Sequence, residues 1–188
     1  MVSDTEKSTP RLLEKLTQEE NRRLLPGNFH CVSEELGIYR SSQPSKEEFA
    51  ELEKQGFAAV LNVRMKHSDE SALSGFRLKC DWVPMHILTA ADMVKALRII
   101  RDAGRPLLIH GKNGTDRTGA VVAGCRIVFE NWQEERAFQE FEDRKFGAHR
   151  LIYCNLRMIL RAFDWSEIRR QVLSAPSAPQ TAADNAQA

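Results

Sequence analysis

The chain has 188 residues, and its hydrophobic fraction of 42% is sufficient to bury the core of one domain. Its 27 basic and 26 acidic side chains leave a formal net charge of +1, which excludes the general basic field typical of nucleic-acid binding. No stretch is long and apolar enough to span a membrane, and the first residues are too polar for a signal peptide, so we expect a cytoplasmic location. The four cysteines do not have the spacing of metal ligands, so we expect free thiols and a chain that binds no metal and no cofactor.

The two ends of the chain differ in composition from its middle. Residues 9–25 place leucines among charged side chains, which is the pattern of an amphipathic helix docked on a domain. The last residues are rich in alanine and proline, and this composition predicts disorder. We therefore predict a helical arm at residues 1–27, one domain at residues 28–173 and a disordered tail at residues 174–188. A membrane or partner role for the arm is an open alternative.

Short strands alternate with helices along the predicted domain. In its first half we predict a hairpin of strands at residues 30–33 and 37–40, a helix from the capping box of Ser45 and Glu48 to residue 54, a buried strand at 57–63 and one short helix within 68–79. In its second half we predict strands at 82–87 and 106–110, and helices at 89–103, 118–130, 133–146 and 150–173. This order predicts an α/β fold with a central mixed, mostly parallel sheet of about five strands flanked by helices.

The segment that is most informative about function connects the strand at 106–110 to the next helix, and it reads His110-Gly111-Lys112-Asn113-Gly114-Thr115-Asp116-Arg117-Thr118. A loop that runs from a strand into a helix N-terminus presents several backbone N–H groups and the positive end of the helix dipole to one point. Gly114 permits a backbone geometry that a Cβ atom would resist, and Arg117 can donate to two oxygens of one phosphate. We therefore predict an anion site in which phosphate is bound by Lys112, Asn113, Gly114, Thr115 and Arg117.

This loop resembles the signature of the protein tyrosine and dual-specificity phosphatases, His-Cys-x-x-Gly-x-x-Arg-Thr/Ser. Every fixed position matches except the cysteine, where Gly111 stands. Residues 37–44, 61–64 and 146–149 also resemble segments of the compact bacterial dual-specificity-like phosphatases, so the resemblance covers about residues 28–165. It implies a cysteine-phosphatase-like fold and a partner that is either a phosphorylated protein or a small phosphate ester.

In that family a cysteine thiolate attacks phosphorus, an arginine holds the phosphoryl oxygens and an aspartic acid protonates the leaving group. The resemblance therefore places Gly111 at the vacated nucleophile position, Arg117 as the transition-state clamp and Thr118 as the hydroxyl that assists breakdown of the phosphoenzyme. His110 braces the loop, or is a core histidine that only satisfies a backbone group. Lys112 adds charge for a multiply phosphorylated ligand, or is an ordinary solvated lysine.

Three aspartates are candidates for the general acid. We prefer Asp116, which lies in the loop itself, with a purely bracing role as its alternative. Asp92 follows the preceding strand, where related enzymes often carry their acid, but it fits the capping box of the next helix. Asp81 precedes its predicted strand and so lies at the wrong end of the sheet. Two arginines, Arg40 and Arg64, lie near strand ends. They either hold the loop or the ligand, or form structural ion pairs, and we favour the ion pairs.

Glycine at position 111 removes the nucleophile on which covalent catalysis depends. None of the four cysteines stands at an equivalent position, so we expect no activity by the family mechanism. Loss of a thiolate also removes a repulsion of roughly a few kcal/mol on the phosphate dianion, which favours capture of the ligand. We therefore predict a pseudophosphatase that binds phosphate esters. The alternatives are a weak phosphatase that activates water with Asp116 as base, and a scaffold with a vestigial loop whose N-terminal helix binds a partner.

Overall fold

The structure is a computed structural model, and it describes residues 24–147 and 154–174. The predicted helix at residues 9–25 and the predicted tail lie almost wholly outside these ranges. At the start of the described part, Leu24 and Leu25 lie in a turn, and Leu25 is buried against the domain. None of the described helices is long and apolar enough to cross a bilayer.

The described part of the chain contains short strands and helices in alternation. The strands are β1 (His30–Ser33), β2 (Ile38–Ser41), β3 (Ala59–Asn62), β4 (Lys79–Trp82) and β5 (Leu107–His110). The helices are α1 (Lys46–Lys54), α2 (Ala90–Asp102), α3 (Asp116–Val128), α4 (Glu134–Phe141), α5 (Cys154–Arg161) and α6 (Trp165–Leu173), with a 3-10 turn (Arg144–Phe146) after α4. The predicted capping boxes begin α1 and α2, as expected.

The strands form one mixed sheet in the order β1-β2-β5-β3-β4. β1 pairs with β2 antiparallel and every other pair is parallel, so the predicted sheet is confirmed. β5 lies in the middle, and its last residue, His110, is in register with Ser41 of β2 and Asn62 of β3. The loop after β5 therefore leaves the sheet at its carboxyl edge, where ligands bind in open α/β folds.

Apolar side chains cover both faces of the sheet. In β5, Leu107 and Ile109 belong to a cluster with α2 and α3, whereas Leu108 belongs to a second cluster with Phe49 and Leu52 of α1. This alternation follows from the two-residue period of a strand and explains why β5 reads as a continuous apolar run. α3 is buried along most of its length, as its composition predicts. The helix that receives the loop is thereby fixed against the sheet.

The strand predicted at residues 82–87 is wrong in position, because β4 ends at Trp82. The alternation behind that prediction is real, since Val83 and Met85 are both buried. However, the Val83 N–H donates to Asn62 O at the end of β3, and β3 provides no partner beyond that point. The residues after β4 therefore pack on the core without joining the sheet.

Three helix predictions differ from the structure. The short helix expected within residues 68–79 is replaced by turns at residues 70–75. The helix expected at residues 133–146 is interrupted after α4 and continues only as the 3-10 turn. The helix expected at residues 150–173 is divided into α5 and α6, because the Asp164 side chain accepts a hydrogen bond from a backbone N–H and begins α6 as its N-cap.

Candidate phosphate-binding site

The loop between β5 and α3 forms one side of a cavity of about 220 Å³ at the carboxyl edge of the sheet. The segment that follows β3 forms the other side. The described lining consists of residues 63–66 and 111–118. The structure therefore brings all the predicted phosphate-binding residues, together with Arg64, to one cavity.

The carbonyl oxygens of the loop are held by residues that do not line the cavity. The Gln43 N–H donates to Lys112 O over 3.1 Å, and the Asn28 side-chain amide donates to the carbonyl oxygens of Asn113 (3.1 Å) and Gly114 (3.2 Å). In a trans peptide the following N–H points opposite to the carbonyl, so the N–H groups of residues 113–115 face the cavity. No described residue accepts a hydrogen bond from these three groups, and they are available to an anion.

Arg40, in β2, supports the same loop. Its buried side chain donates to Gly114 O over 2.6 Å and to Thr115 O over 3.2 Å, and its guanidinium lies 4.5 Å from the centre of the Phe146 ring. Burial lowers the pKa of the Arg40 guanidinium to about 10, which still leaves it charged at neutral pH. Arg40 therefore holds the loop through carbonyl oxygens, and the structural ion pair that we favoured for it is not what fixes this side chain.

Gly114 is required by the path of the loop. Its φ of +68° lies in the left-handed region, and a Cβ atom there would stand 2.3 Å from Ser41 O. The first feature disfavours every residue with a Cβ, and the second leaves no room for one. The expectation that glycine is needed at this position is confirmed.

Gly111, at the start of the loop, faces Thr118 in the first turn of α3. A Cβ atom at position 111 would lie 2.8 Å from Thr118 Oγ1 and 4.0 Å from the Gly114 nitrogen. The Thr118 side chain is buried, and its hydroxyl has no hydrogen-bond partner among the described residues. An unpaired buried hydroxyl costs about 1–3 kcal/mol. The site therefore keeps one donor, beside Gly111, that a ligand oxygen can satisfy.

His110 and Asp69 form a fully buried pair next to the loop, with 2.8 Å between His110 Nε2 and Asp69 Oδ2. The side chains of Asn62 and Gln43 also donate to this carboxylate, each over 2.7 Å. Burial by itself raises the pKa of the Asp69 carboxyl, but the hydrogen bonds and charge interactions, led by those of His110, outweigh it and hold that pKa below its usual value. His110 thus braces the end of β5 through a carboxylate that the sequence did not single out.

Arg117 lines the cavity and is also tied to the segment after β4. Its Nε donates to Met85 O over 2.6 Å, and its Nη2 lies 3.4 Å from His86 O. A clamp on phosphate through Nε and Nη2 requires the bond to Met85 to open, whereas a clamp through the two Nη atoms leaves that bond in place. The guanidinium is therefore positioned at the cavity before any ligand binds.

Of the three aspartates considered as general acid, Asp116 alone belongs to the described lining of the cavity. Its Oδ2 accepts a hydrogen bond from Thr115 Oγ1 over 2.8 Å. Asp92 is engaged in the capping box of α2 with Thr89, which was its alternative role. Asp81 lies within β4 and not ahead of a strand, so its predicted position is wrong. Of these three aspartates, the structure therefore places only Asp116 at the cavity.

The described lining of the cavity has an excess of positive charge. Its cationic side chains are Arg64, Lys66, Lys112 and Arg117, against the single carboxylate of Asp116. Both lysines are exposed, and Arg64 is held by a 2.9 Å hydrogen bond from its Nη1 to a glutamine side chain after β2. A concave site with this charge distribution attracts dianions.

None of the three described cysteines is placed to act as a nucleophile in the cavity. Burial raises the pKa of the Cys31 thiol to about 11 and the pKa values of the Cys80 and Cys125 thiols to about 12. None of the three lines the cavity, and a thiol that stays protonated at neutral pH is a poor nucleophile. The side chain of the fourth, Cys154, is outside the described part of the chain.

Three supports of the loop were missed by sequence reasoning, namely Asn28, Gln43 and Asp69. Gln43 lies inside the segment at residues 37–44 that carries part of the family resemblance. This resemblance is the sequence signal that points to Gln43. Asn28 and Asp69 lie in irregular segments without periodicity, and their partners are 85 and 41 residues further along the chain. No local pattern in the sequence indicates such contacts.

Comparisons with known proteins agree with the fold. The profile of the tyrosine phosphatase family matches residues 23–179. The dual specificity protein phosphatase TpbA of Pseudomonas aeruginosa is 30% identical over 114 residues, which cover 58% of this chain and 52% of that protein. The inositol diphosphatase SIW14 of Saccharomyces cerevisiae is 28% identical over 184 residues, which cover 86% of this chain and 60% of that protein. This chain thus spans about half the length of TpbA.

Solved structures share the same fold. The crystal structure of P. aeruginosa TpbA in complex with phosphotyrosine matches with a TM-score of 0.68 and 25% identity, over 79% of this chain and 91% of that one. The core catalytic domain of S. cerevisiae SIW14 in complex with citrate matches with a TM-score of 0.65 and 27% identity, over 78% of this chain and 91% of that one. With the family profile covering most of the residues, the chain belongs to the tyrosine phosphatase family.

Proposed function

We propose that this chain is a phosphatase-family domain that binds phosphate esters and does not hydrolyse them by the covalent route of the family. The proposal depends on one observation, which is that the groups able to bind an anion are all present next to a glycine at the nucleophile position. We call these groups, the loop N–H groups, the Thr118 hydroxyl and Arg117, the anion cradle. The N–H groups of residues 113–115, the Thr118 hydroxyl and Arg117 converge on the cavity, whereas Gly111 offers no side chain. A site that keeps its binding groups and lacks its nucleophile favours capture over turnover.

The charge at the site supports binding. A thiolate about 4 Å from a bound phosphate would repel it by roughly 4 kcal/mol per unit charge at an effective dielectric constant near 20. Glycine removes that repulsion, and the backbone freedom that it introduces costs roughly 1 kcal/mol. The first effect is the larger one, because the carbonyl bonds to Asn28, Arg40 and Gln43 already order the loop.

Calorimetric titration with phenyl phosphate at low salt tests the proposal, with an assay of phosphate release on the same preparation. We expect binding without release, and a loss of affinity of roughly 10-fold to 100-fold in Arg117→Ala, the size of one charge-assisted hydrogen bond. The matched control is Arg98→Ala, which removes an exposed arginine bonded to Gln171 O and outside the lining of the cavity.

The possible results separate the three functions considered. Absence of binding, or binding that Arg117→Ala leaves unchanged, contradicts phosphate capture and favours the scaffold with a vestigial loop. Phosphate release that depends on Asp116 favours the water-based phosphatase instead. Binding that is lost in Arg117→Ala, kept in Arg98→Ala and not followed by release supports the proposal.

A ligand with several phosphoryl groups is the second candidate for the natural ligand, beside a phosphorylated protein. It is favoured by Arg64, Lys66 and Lys112, which add positive charge to the lining of the cavity besides that of Arg117. SIW14, which is similar to this chain, is an inositol diphosphatase. Substitution of both lysines by glutamine should weaken binding of inositol hexakisphosphate and leave binding of phenyl phosphate almost unchanged. Equal losses for the two ligands contradict this second candidate.

A further inference from the structure

We infer that Asn28 is a positioning residue for phosphate binding, because it fixes the direction of a loop N–H group by holding the preceding carbonyl oxygen from outside the cavity. The inference rests on the proposed function, since it concerns the same loop. The residue that orients this N–H group thus lies 85 residues before Asn113 in the sequence.

The Asn28 side chain contacts two separate segments of the chain. Its Nδ2 lies 3.1 Å from Asn113 O, 3.2 Å from Gly114 O and 3.0 Å from Phe146 O, so two amide hydrogens are shared among three carbonyl oxygens. Its Oδ1 lies 3.0 Å from His30 Nε2. Because the oxygen of the amide is engaged by His30, the nitrogen is directed at the loop.

One of these contacts has no substitute among the described residues. Gly114 O is also held by Arg40, whereas Asn28 alone donates to Asn113 O. The N–H group of that same peptide belongs to Gly114, whose nitrogen lies 4.0 Å from the position of a Cβ at residue 111. Asn28 therefore controls the N–H group that faces the nucleophile position.

The loop needs this external restraint because of the glycine in it. Gly114 has no Cβ, so the peptides on either side of it meet little steric resistance to rotation. If the peptide between Asn113 and Gly114 turned over, its carbonyl oxygen would point into the cavity and repel a phosphate. The Asn28 amide opposes this rotation by binding the oxygen on the outer side.

The backbone at Asn28 explains why an asparagine suits this position. Its φ is +54°, a left-handed conformation that asparagine tolerates better than most residues. Asparagine thus supplies both the conformation and the amide donor. Glycine supplies the conformation without the donor, so Asn28→Gly removes the hydrogen bonds while leaving the backbone unstrained.

The chain contains a matched control for this substitution. Asn131 also has a left-handed backbone, with φ of +56°, and its side chain accepts a hydrogen bond from Arg169 at a place outside the lining of the cavity. In calorimetric titrations with inorganic phosphate we expect Asn28→Gly to lower the affinity by roughly tenfold, and Asn131→Gly to leave it almost unchanged. Urea denaturation of both variants identifies any general loss of stability.

A second measurement does not depend on phosphate binding. In the Gly111→Cys background, the pH dependence of alkylation by iodoacetamide gives the pKa of the introduced thiol, which loop N–H groups lower by stabilising the thiolate. Asn28→Gly should raise that pKa, whereas Asn131→Gly should not. A merely structural role for Asn28 would change the stability of the chain without changing this pKa.

The two measurements separate the failure of this inference from the failure of the proposed function. If the unsubstituted chain binds phosphate but Asn28→Gly binds as tightly and leaves the thiol pKa unchanged, the inference is overturned and the proposed function stands. If both asparagine variants weaken binding equally, the inference is also overturned. If the unsubstituted chain does not bind phosphate, the proposed function is overturned, and the thiol pKa alone decides the role of Asn28.

Discussion

Replacing Gly111 with cysteine should produce an active phosphatase without destabilising the chain, although a side chain there has a close neighbour. A Cβ atom would lie 2.8 Å from Thr118 Oγ1, which is shorter than a normal contact, and 3.9 Å from Val63 Cγ2. The atom in the way is therefore a side-chain hydroxyl oxygen and not a backbone atom. Gly111 is not in the left-handed region, so a side chain adds no backbone strain.

The expected change in the free energy of unfolding follows from these contacts. Rotation of Thr118 to its other common helical rotamer costs about 1 kcal/mol or less. After rotation its hydroxyl can donate to the new thiolate, and a hydrogen bond to a charged group contributes about 1.5–3 kcal/mol. Loss of the glycine also lowers the entropy of the unfolded chain, which contributes about 0.4–1 kcal/mol. The net expectation is a gain of about 1–3 kcal/mol in the free energy of unfolding.

Urea denaturation of four chains measures this gain: the unsubstituted chain, Gly111→Cys, Thr118→Val and the double variant. Thr118→Val alone should be neutral or stabilising by about 1 kcal/mol, because it removes an unpaired buried hydroxyl. The coupling free energy between the two positions should be favourable, at about 1–3 kcal/mol. Turnover of an aryl phosphate should appear in Gly111→Cys and decrease in the double variant, which lacks the hydroxyl.

Two results would refute this reasoning. Suppose that Gly111→Cys lowers the free energy of unfolding by more than about 1 kcal/mol and that Thr118→Val restores it. The Thr118 hydroxyl then obstructs the introduced side chain and does not donate a hydrogen bond to it. If Gly111→Cys is folded, reacts with iodoacetamide and yet fails to hydrolyse an aryl phosphate, position 111 is not the nucleophile position.

Two further predictions concern the supports of the loop. The folded chain holds the pKa of Asp69 below its usual value of 3.8, so the stabilising effect of this carboxylate is present above that pH and is lost as the pH falls through the folded-state pKa. Denaturant titrations should therefore show the unsubstituted chain and Asp69→Asn converging in stability in acid, and a difference that is constant with pH contradicts this. Gly114→Ala should cost about 3 kcal/mol or more, because the left-handed backbone and the 2.3 Å approach to Ser41 O both oppose a Cβ. Its control is Gly56→Ala, with φ of +92° and no neighbour within 4 Å, which should cost only about 1–2 kcal/mol, and equal losses contradict the close approach.

Local patterns in the sequence were sufficient for the fold and for the position of the loop. The order of strands and helices, the two capping boxes and the glycine-bearing turn into α3 each depend on residues within a few positions of one another. The error at residues 82–87 has a non-local cause. Burial alternates there as in a strand, but whether a strand forms depends on the length of β3, which the segment's own residues do not specify.

The candidate site was predictable only in part, for the same reason. The motif identified the residues that face the ligand, but not the residues that hold the loop. Asn28, Gln43 and Asp69 act through hydrogen bonds to distant backbone and side-chain atoms, and a polar residue in an irregular segment looks the same whether or not it has such a partner. The expectation of ion pairs at Arg40 was wrong because its partners are backbone carbonyl oxygens. Every residue carries one, so the sequence does not show which of them accepts a hydrogen bond.

The hydrogen bonds of Asn28 and Arg40 to the loop have a consequence for when the site forms during folding. They join residues 74 to 86 positions apart, so they close only after the N-terminal strands have taken their places beside β5. Contacts of such high sequence separation form late in folding, because the intervening chain loses entropy before they form. The loop sequence therefore does not form the binding site without the N-terminal strands. A fragment that begins after β2 would carry every residue of the signature and still lack the cradle, and phosphate binding would appear only with completion of the whole sheet.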